Sequence, residues 1–175
     1  AKLKLIASLQ QKKNRYEHAL FLVEGKKLVI EAANSAWPLE CVIINDAKGE
    51  SFLPVLGELA SVSAFSLSER DFKKLSTQVN SEGILAVAKM PTPQDWPIHE
   101  HTSALLLEKV NDPGNLGTLL RTADWFGIHR VYCSSDTVDV YNPKVLRSSM
   151  GAFFRAEFTY VEDWDNFIQK HKSRI

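Results

Sequence analysis

Short apolar runs separated by polar, turn-rich stretches recur along the chain, and their spacing predicts strands alternating with helices. In the first half, Phe21–Val23, Cys41–Ile44, Val62–Phe65 and Gly83–Ala88 read as four strands. Gly25–Ser35 reads as a helix, Asn45–Gly49 as a turn, and Phe52–Ala60 as a helix with Pro54 in its first turn. Ser66 with Glu69 three residues later matches a capping box and predicts a helix to Leu75. Pro91, Pro93 and Pro97 then crowd into one polar stretch, which denies donors and stiffens the chain, so 91–101 reads as a linker. Beyond it, Ser103–Leu107, Arg130–Cys133 and Phe153–Val161 read as strands. Helices are expected from the turn at Asn111–Asn115 to Phe126, from Pro143 to Ser149, and from Asp163 to Lys172. The pattern implies an α/β protein with a first domain over 1–90 and a second over 102–175.

Composition adds boundaries to this picture. The chain is 45% hydrophobic and 24% charged, the balance of a soluble globular protein. No apolar run is long enough to cross a bilayer, no secretory leader is visible, and Cys41 and Cys133 sit in strand-like runs as buried thiols. A cytoplasmic protein without membrane association is expected. Net charge is zero, but the first 27 residues carry seven Lys or Arg against Glu17 and Glu24. Lys12, Lys13, Arg15 and Lys26 in that stretch suit a polyanion; a solvated helix face is the alternative.

The chemistry concentrates in Asn111–Gly127. Pro113 before Gly114 suits a type II turn, and Asn115 suits the cap of the next helix. Leu116, Leu119, Leu120 and Ala123 follow helical spacing and predict a buried face, with Arg121 off that face, one turn after the bare Gly117. A guanidinium beside a helix N-terminus favours anions. A dinucleotide site fails on spacing, because the loop offers Gly114 and Gly117 but not three glycines.

These residues resemble the first signature of the SpoU, or TrmH-like, family of RNA 2′-O-ribose methyltransferases of the SPOUT class. The resemblance rests on Asn111, Pro113, Asn115, Gly117, Arg121, Ala123, Phe126 and Gly127, and on a second signature at Pro143, Lys144, Arg147, Ser149, Gly151 and Ala152. The first half is similar to the substrate-binding domain often fused to these enzymes, through Arg15, Phe21–Gly25 and Gly83–Val87. The family implies a small, ribosomal-protein-like RNA-binding domain followed by a Rossmann-like α/β-knot domain, here incomplete. A third signature, which pairs an L-G-x-E run with an S-L-N-V run, does not occur, so the main S-adenosylmethionine site is expected beyond Ile175.

By resemblance, the activity is methyl transfer from S-adenosylmethionine to a ribose 2′-hydroxyl of ribosomal or transfer RNA, by a homodimer. Arg121 carries the catalytic role, either as a base activated by RNA or as a cation that stabilises the alkoxide and grips phosphate. Asn115 supports substrate or arginine, and Arg147 contacts phosphate or forms a structural salt bridge. Ser149 and Gly151 shape a tight turn. Trp125, one turn after Arg121, is a candidate for the subunit interface. The scattered histidines, including His99 and His101, suggest no metal. An RNA-binding module without activity is the other reading, and a nucleotide-binding α/β enzyme unrelated to RNA is a third.

Overall fold

The computed structural model describes residues 2–35, 37–59, 62–92 and 103–172. The Pro-rich stretch with Pro93, Trp96, Pro97, His99 and His101 lies outside the described residues, as does Ile175. The chain opens with two short helices, α1 (Lys2–Ser8) and α2 (Lys12–His18), where the sequence predicted only a basic stretch. Strands β1 (Leu20–Glu24), β2 (Leu39–Asn45), β3 (Ala64–Leu67) and β4 (Ile84–Lys89) form one sheet in the order β1-β4-β2-β3. Helices α3 (Lys26–Ala33), α4 (Leu53–Glu58) and α5 (Glu69–Phe72) connect them. Strands β5 (Ala104–Leu107), β6 (Arg130–Ser134) and β7 (Glu157–Val161) form a second, wholly parallel sheet, joined through α6 (Pro113–Trp125) and α7 (Pro143–Ser149). Helix α8 (Trp164–His171) follows. The α/β class expected from the alternation is the observed one.

The apolar runs of the first sheet are continuous because both of its faces are buried. Phe21 and Val23, Val42 and Ile44, and Ile84 and Ala86 point to one side. Leu22, Cys41, Ile43, Leu85 and Val87 point to the other, under Ile6 and Leu9 of the N-terminal segment. The first set merges with Leu116, Leu120, Val131, Leu146 and Phe153 into one cluster, so the two sheets share a core. Phe21 meets the Phe153 ring at 5.7 Å, and Trp37 Nε1 donates to Phe154 O across the same boundary. Both cysteines are buried and unpaired, and burial pushes the Cys133 thiol up to about 12.

Several predicted boundaries move for local reasons. The segment after β2 is a 3-10 helix over Asp46–Phe52 rather than a simple turn. The cap of α5 is Ser68, whose side chain accepts from Asp71 N, while Ser66 belongs to β3. The predicted strand from Phe153 begins only at Glu157, because Ala152–Arg155 coil into a 3-10 turn that buries Phe153 and Phe154.

Candidate active site

Helix α6 starts earlier than its sequence suggested. Pro113 takes the first helical position, where its missing N–H costs nothing. Asp112 is therefore the cap, and its carboxylate accepts from Asn115 N at 2.8 Å. Gly114 lies within the first turn, so the expected type II turn does not form, and Asn115 is an exposed residue of the helix rather than its cap. The Asp112 carboxyl is held below its usual range, first by that Asn115 N–H and then by Lys144. Leu116, Leu120 and Ala123 are buried as predicted, but Leu119 is exposed.

Gly117 does not make room for Arg121. A Cβ there would lie 2.6 Å from Val145 O and 2.8 Å from Ser148 Cβ, and closer still to Ser148 Oγ. The glycine instead lets the backbone of α6 touch α7. Helix α7 is capped by Asn142, which accepts from Lys144 N, and Ser148 Oγ reaches Pro113 O at 3.2 Å to fasten the helix starts.

Arg121 is exposed, and among the described residues its guanidinium has no hydrogen-bond or ion-pair partner. Asn115 is not joined to it; six residues on a helix set the two side chains about 120° apart. The acid one turn beyond Arg121 is engaged elsewhere. Asp124 receives a two-point contact from Arg155, Nε to Oδ1 at 2.9 Å and Nη2 to Oδ2 at 2.7 Å, and His129 Nε2 lies 3.3 Å from Oδ1. Arg155 is the main reason the Asp124 carboxyl sits below its usual range. The third arginine nitrogen donates to Glu31 of α3 at 2.9 Å.

Arg147 is half-buried and donates to Thr77 Oγ1 at 2.8 Å. Thr77 in turn donates, from N and Oγ1, to the buried Glu24 carboxylate, which also accepts from Ser76 and Ser81. The second signature is thereby tied to the first sheet, and the partner of Arg147 is a hydroxyl rather than an acid. Ser149 is buried against Leu146 O, and Met150 and Gly151 both take positive φ, the tight turn the sequence implied.

The basic residues separate into two groups. Lys12, Lys13 and Lys26 are exposed, and Lys12 Nζ stands 5.7 Å over the Tyr16 ring. Arg15 is not a surface cation: it is 3% exposed. It pairs with the buried Asp139 and donates through Nη1 to Leu9 O and Gln10 O. Four hydrogen bonds, two to Asp139 and two to backbone carbonyls, hold its guanidinium inside, which removes it from the RNA-contacting set. Tyr16 OH donates to the same Asp139 at 3.0 Å. Asp139, Asp124 and Arg155 drew no attention in the sequence, because their partners lie up to 124 residues away.

A cavity of about 350 Å³ lies where open parallel sheets hold ligands, at the carboxyl ends of the strands. Its wall includes Glu108, Lys109, Asp136, Glu162, Trp164 and Asp165. Such a wall suits the positive end of a sulfonium amino acid but offers its carboxylate a single cation, and the lining is mostly polar where an adenine needs an apolar slot. The described residues therefore do not fit the whole donor. Trp125 and Phe126, at the far end of α6, are 87% and 73% exposed; the sequence offers the first as an interface candidate and the second only as a position of the first signature.

Comparison with known proteins matches residues 102–175 to the model of the SpoU rRNA Methylase family and residues 1–86 to that of the MRM3-like substrate binding domain. The chain is 35% identical over 146 residues to the Bacillus subtilis 23S rRNA (guanosine(2553)-2′-O)-methyltransferase RlmP, covering 83% of this chain and 56% of that one. A solved structure from the TrmH RNA methyltransferase family of Porphyromonas gingivalis superposes with TM-score 0.80 at 34% identity, covering 98% of this chain and 66% of the other. An AdoMet-bound rRNA methyltransferase from Sinorhizobium meliloti gives TM-score 0.80 at 26% identity, covering 98% and 65%. The chain spans about half the length of the Bacillus relative.

Proposed function

Because the chain belongs to the SpoU rRNA methylase family, joined to an MRM3-like substrate binding domain, we propose that it transfers a methyl group from S-adenosylmethionine to a ribose 2′-hydroxyl of ribosomal or transfer RNA. The observation that carries the reading is Arg121, an exposed guanidinium, unpaired among the described residues, on a helix locked against α7 at Gly117. A guanidinium stays cationic at physiological pH, so its chemistry supports stabilising negative charge on the attacking 2′-oxygen and gripping the neighbouring phosphate. Asn115, a turn and a half earlier and on another face, is free to orient the ribose from the side.

Lys12, Lys13 and Lys26 are the RNA-contacting cations in this reading, and Arg147 presents the part of its guanidinium not bound to Thr77. S-adenosylmethionine supplies the methyl group when bound, and the acidic cavity meets only part of it. Residues 1–90 are the substrate domain and 102–175 the catalytic one, joined by 91–101. A homodimer is supported by the apolar pair Trp125 and Phe126, whose exposure on a single helix end suits a second copy. No described helix is long and apolar enough to cross a membrane. The compartment we propose is the cytoplasm, from the buried, unpaired thiols of Cys41 and Cys133.

The partial fit of the donor favours one other reading, an RNA-binding module without activity. The test is label transfer from methyl-labelled S-adenosylmethionine to ribosomal RNA by the full-length protein, followed by alkaline hydrolysis. A 2′-O-methyl group blocks cleavage at its own nucleotide, so label in an alkali-resistant dinucleotide is expected. RNA retention without label transfer selects the binding module, and label on alkali-released mononucleotides contradicts ribose as the acceptor.

A further inference from the structure

We infer that Arg155 is a positioning residue for the reaction, which keeps Arg121 unpaired by occupying Asp124. The inference rests on the catalytic reading of Arg121. On a helix, residues three apart are neighbours, so an arginine and an aspartate at that spacing are within reach of each other, although acid before base is the stronger order. Arg121 and Asp124 stand in that relation on α6, yet no ion pair joins them. Arg155 takes both Asp124 oxygens with its planar fork, and His129 approaches one of them. The two-point contact fixes the direction of the carboxylate as well as neutralising it.

Arg155 is itself oriented from the other side, through Glu31. That acid packs against Gly151, where a Cβ would meet Glu31 Cγ at 2.8 Å. The chain Glu31–Arg155–Asp124 therefore runs from α3 across the turn after α7 to the end of α6. The consequence is functional. Released from Arg155, Asp124 has one cation within reach on its own helix, Arg121. A guanidinium paired to a carboxylate has spent the donors and the charge that a developing alkoxide or a phosphate needs.

An ion-pair bridge that only holds three elements together predicts a different mutational pattern, and the double variant separates the two. Methyl transfer by the full-length protein is measured for Arg155→Gln, Asp124→Asn and the pair, with Arg121→Ala as reference and thermal melts alongside. We expect Arg155→Gln to lose at least tenfold in kcat. Asp124→Asn should stay within about threefold of wild type, because it removes the competing charge. The double variant should recover to that same level, although it contains no bridge at all. Arg155→Lys, a gentler change that keeps the charge but loses the fork, should fall between and be rescued by Asp124→Asn in the same way.

A double variant as impaired as Arg155→Gln overturns the inference and leaves the bridge a fastener, as does full turnover in Arg155→Gln. If Arg155→Gln does not fold, the lysine series decides on the same criterion. Full turnover in Arg121→Ala instead sinks the catalytic reading itself, so the two failures are distinguishable.

Discussion

Replacing Gly117 by Ala tests the contact on which the candidate site is built. The new Cβ meets Val145 O at 2.6 Å, whereas ordinary contact begins at 3.4 Å, so the helices must part by about 0.8 Å at that point. Ser148 can rotate its hydroxyl away, but a backbone carbonyl inside α7 has no such freedom. Overpacking of this kind costs roughly 1–3 kcal/mol, and the backbone obstacle puts this site at the upper end. Alanine returns about 1 kcal/mol of helix propensity. The net expectation is a loss of about 2 kcal/mol, or a melting temperature lower by about 4–8 °C for a chain of this size. Scanning calorimetry or a circular-dichroism melt reads this directly. Adding Ser148→Ala should recover little, because it clears the hydroxyl but not Val145 O or Ser148 Cβ. A Gly117→Ala protein that melts at or above the wild-type temperature would mean that propensity outweighs the clash and that the helices are not in close contact.

Arg15→Ala strands Asp139 in the interior and should cost about 3–5 kcal/mol in denaturant titrations; a change below about 1 kcal/mol would contradict the buried pairing. Lys12→Ala with Lys13→Ala should reduce the slope of log affinity against log salt for RNA by up to about two counter-ions without altering the melt, and an unchanged slope returns both to a solvated face. Residues 1–175 alone should bind S-adenosylmethionine very weakly in calorimetric titration, because the acidic wall around Asp136 and Glu162 meets only part of the donor. Micromolar binding would place a sufficient pocket within these residues.

What could be read in advance was what local sequence controls. Asn142 and Pro143 announce the start of α7 because a cap and a fixed φ act within two residues, and Gly127 takes the positive φ that stops α6. The apolar runs at Phe21, Cys41 and Ile84 became strands because both faces of their sheet had something to bury against. At the start of α6 two local signals competed. Asn115 and Asp112 both suit a cap, and Pro113 decides for Asp112 by claiming the first position.

The rest depended on residues far apart in the chain. Arg15 and Lys13 look alike in sequence; only the Asp139 carboxylate, 124 residues on, draws one of them inside. The bare glycine at 117 does mark a close approach, but the approaching group is Val145 rather than Arg121. That Arg121 is left alone depends on Arg155, whose role as a fork around Asp124 has no signature of its own.

Arg121→Ala separates a guanidinium that does chemistry from one that holds structure. The side chain is exposed and unpaired among the described residues, so its loss should change stability by no more than about 0.5 kcal/mol. Methyl transfer to RNA by the full-length protein should fall by two or more orders of magnitude, roughly what one positioned charge-stabilising group contributes. Arg121→Lys should restore little, because a point charge cannot serve oxygen and phosphate together. Near-wild-type turnover in Arg121→Ala, beside an unchanged melt, would remove Arg121 from the catalytic role.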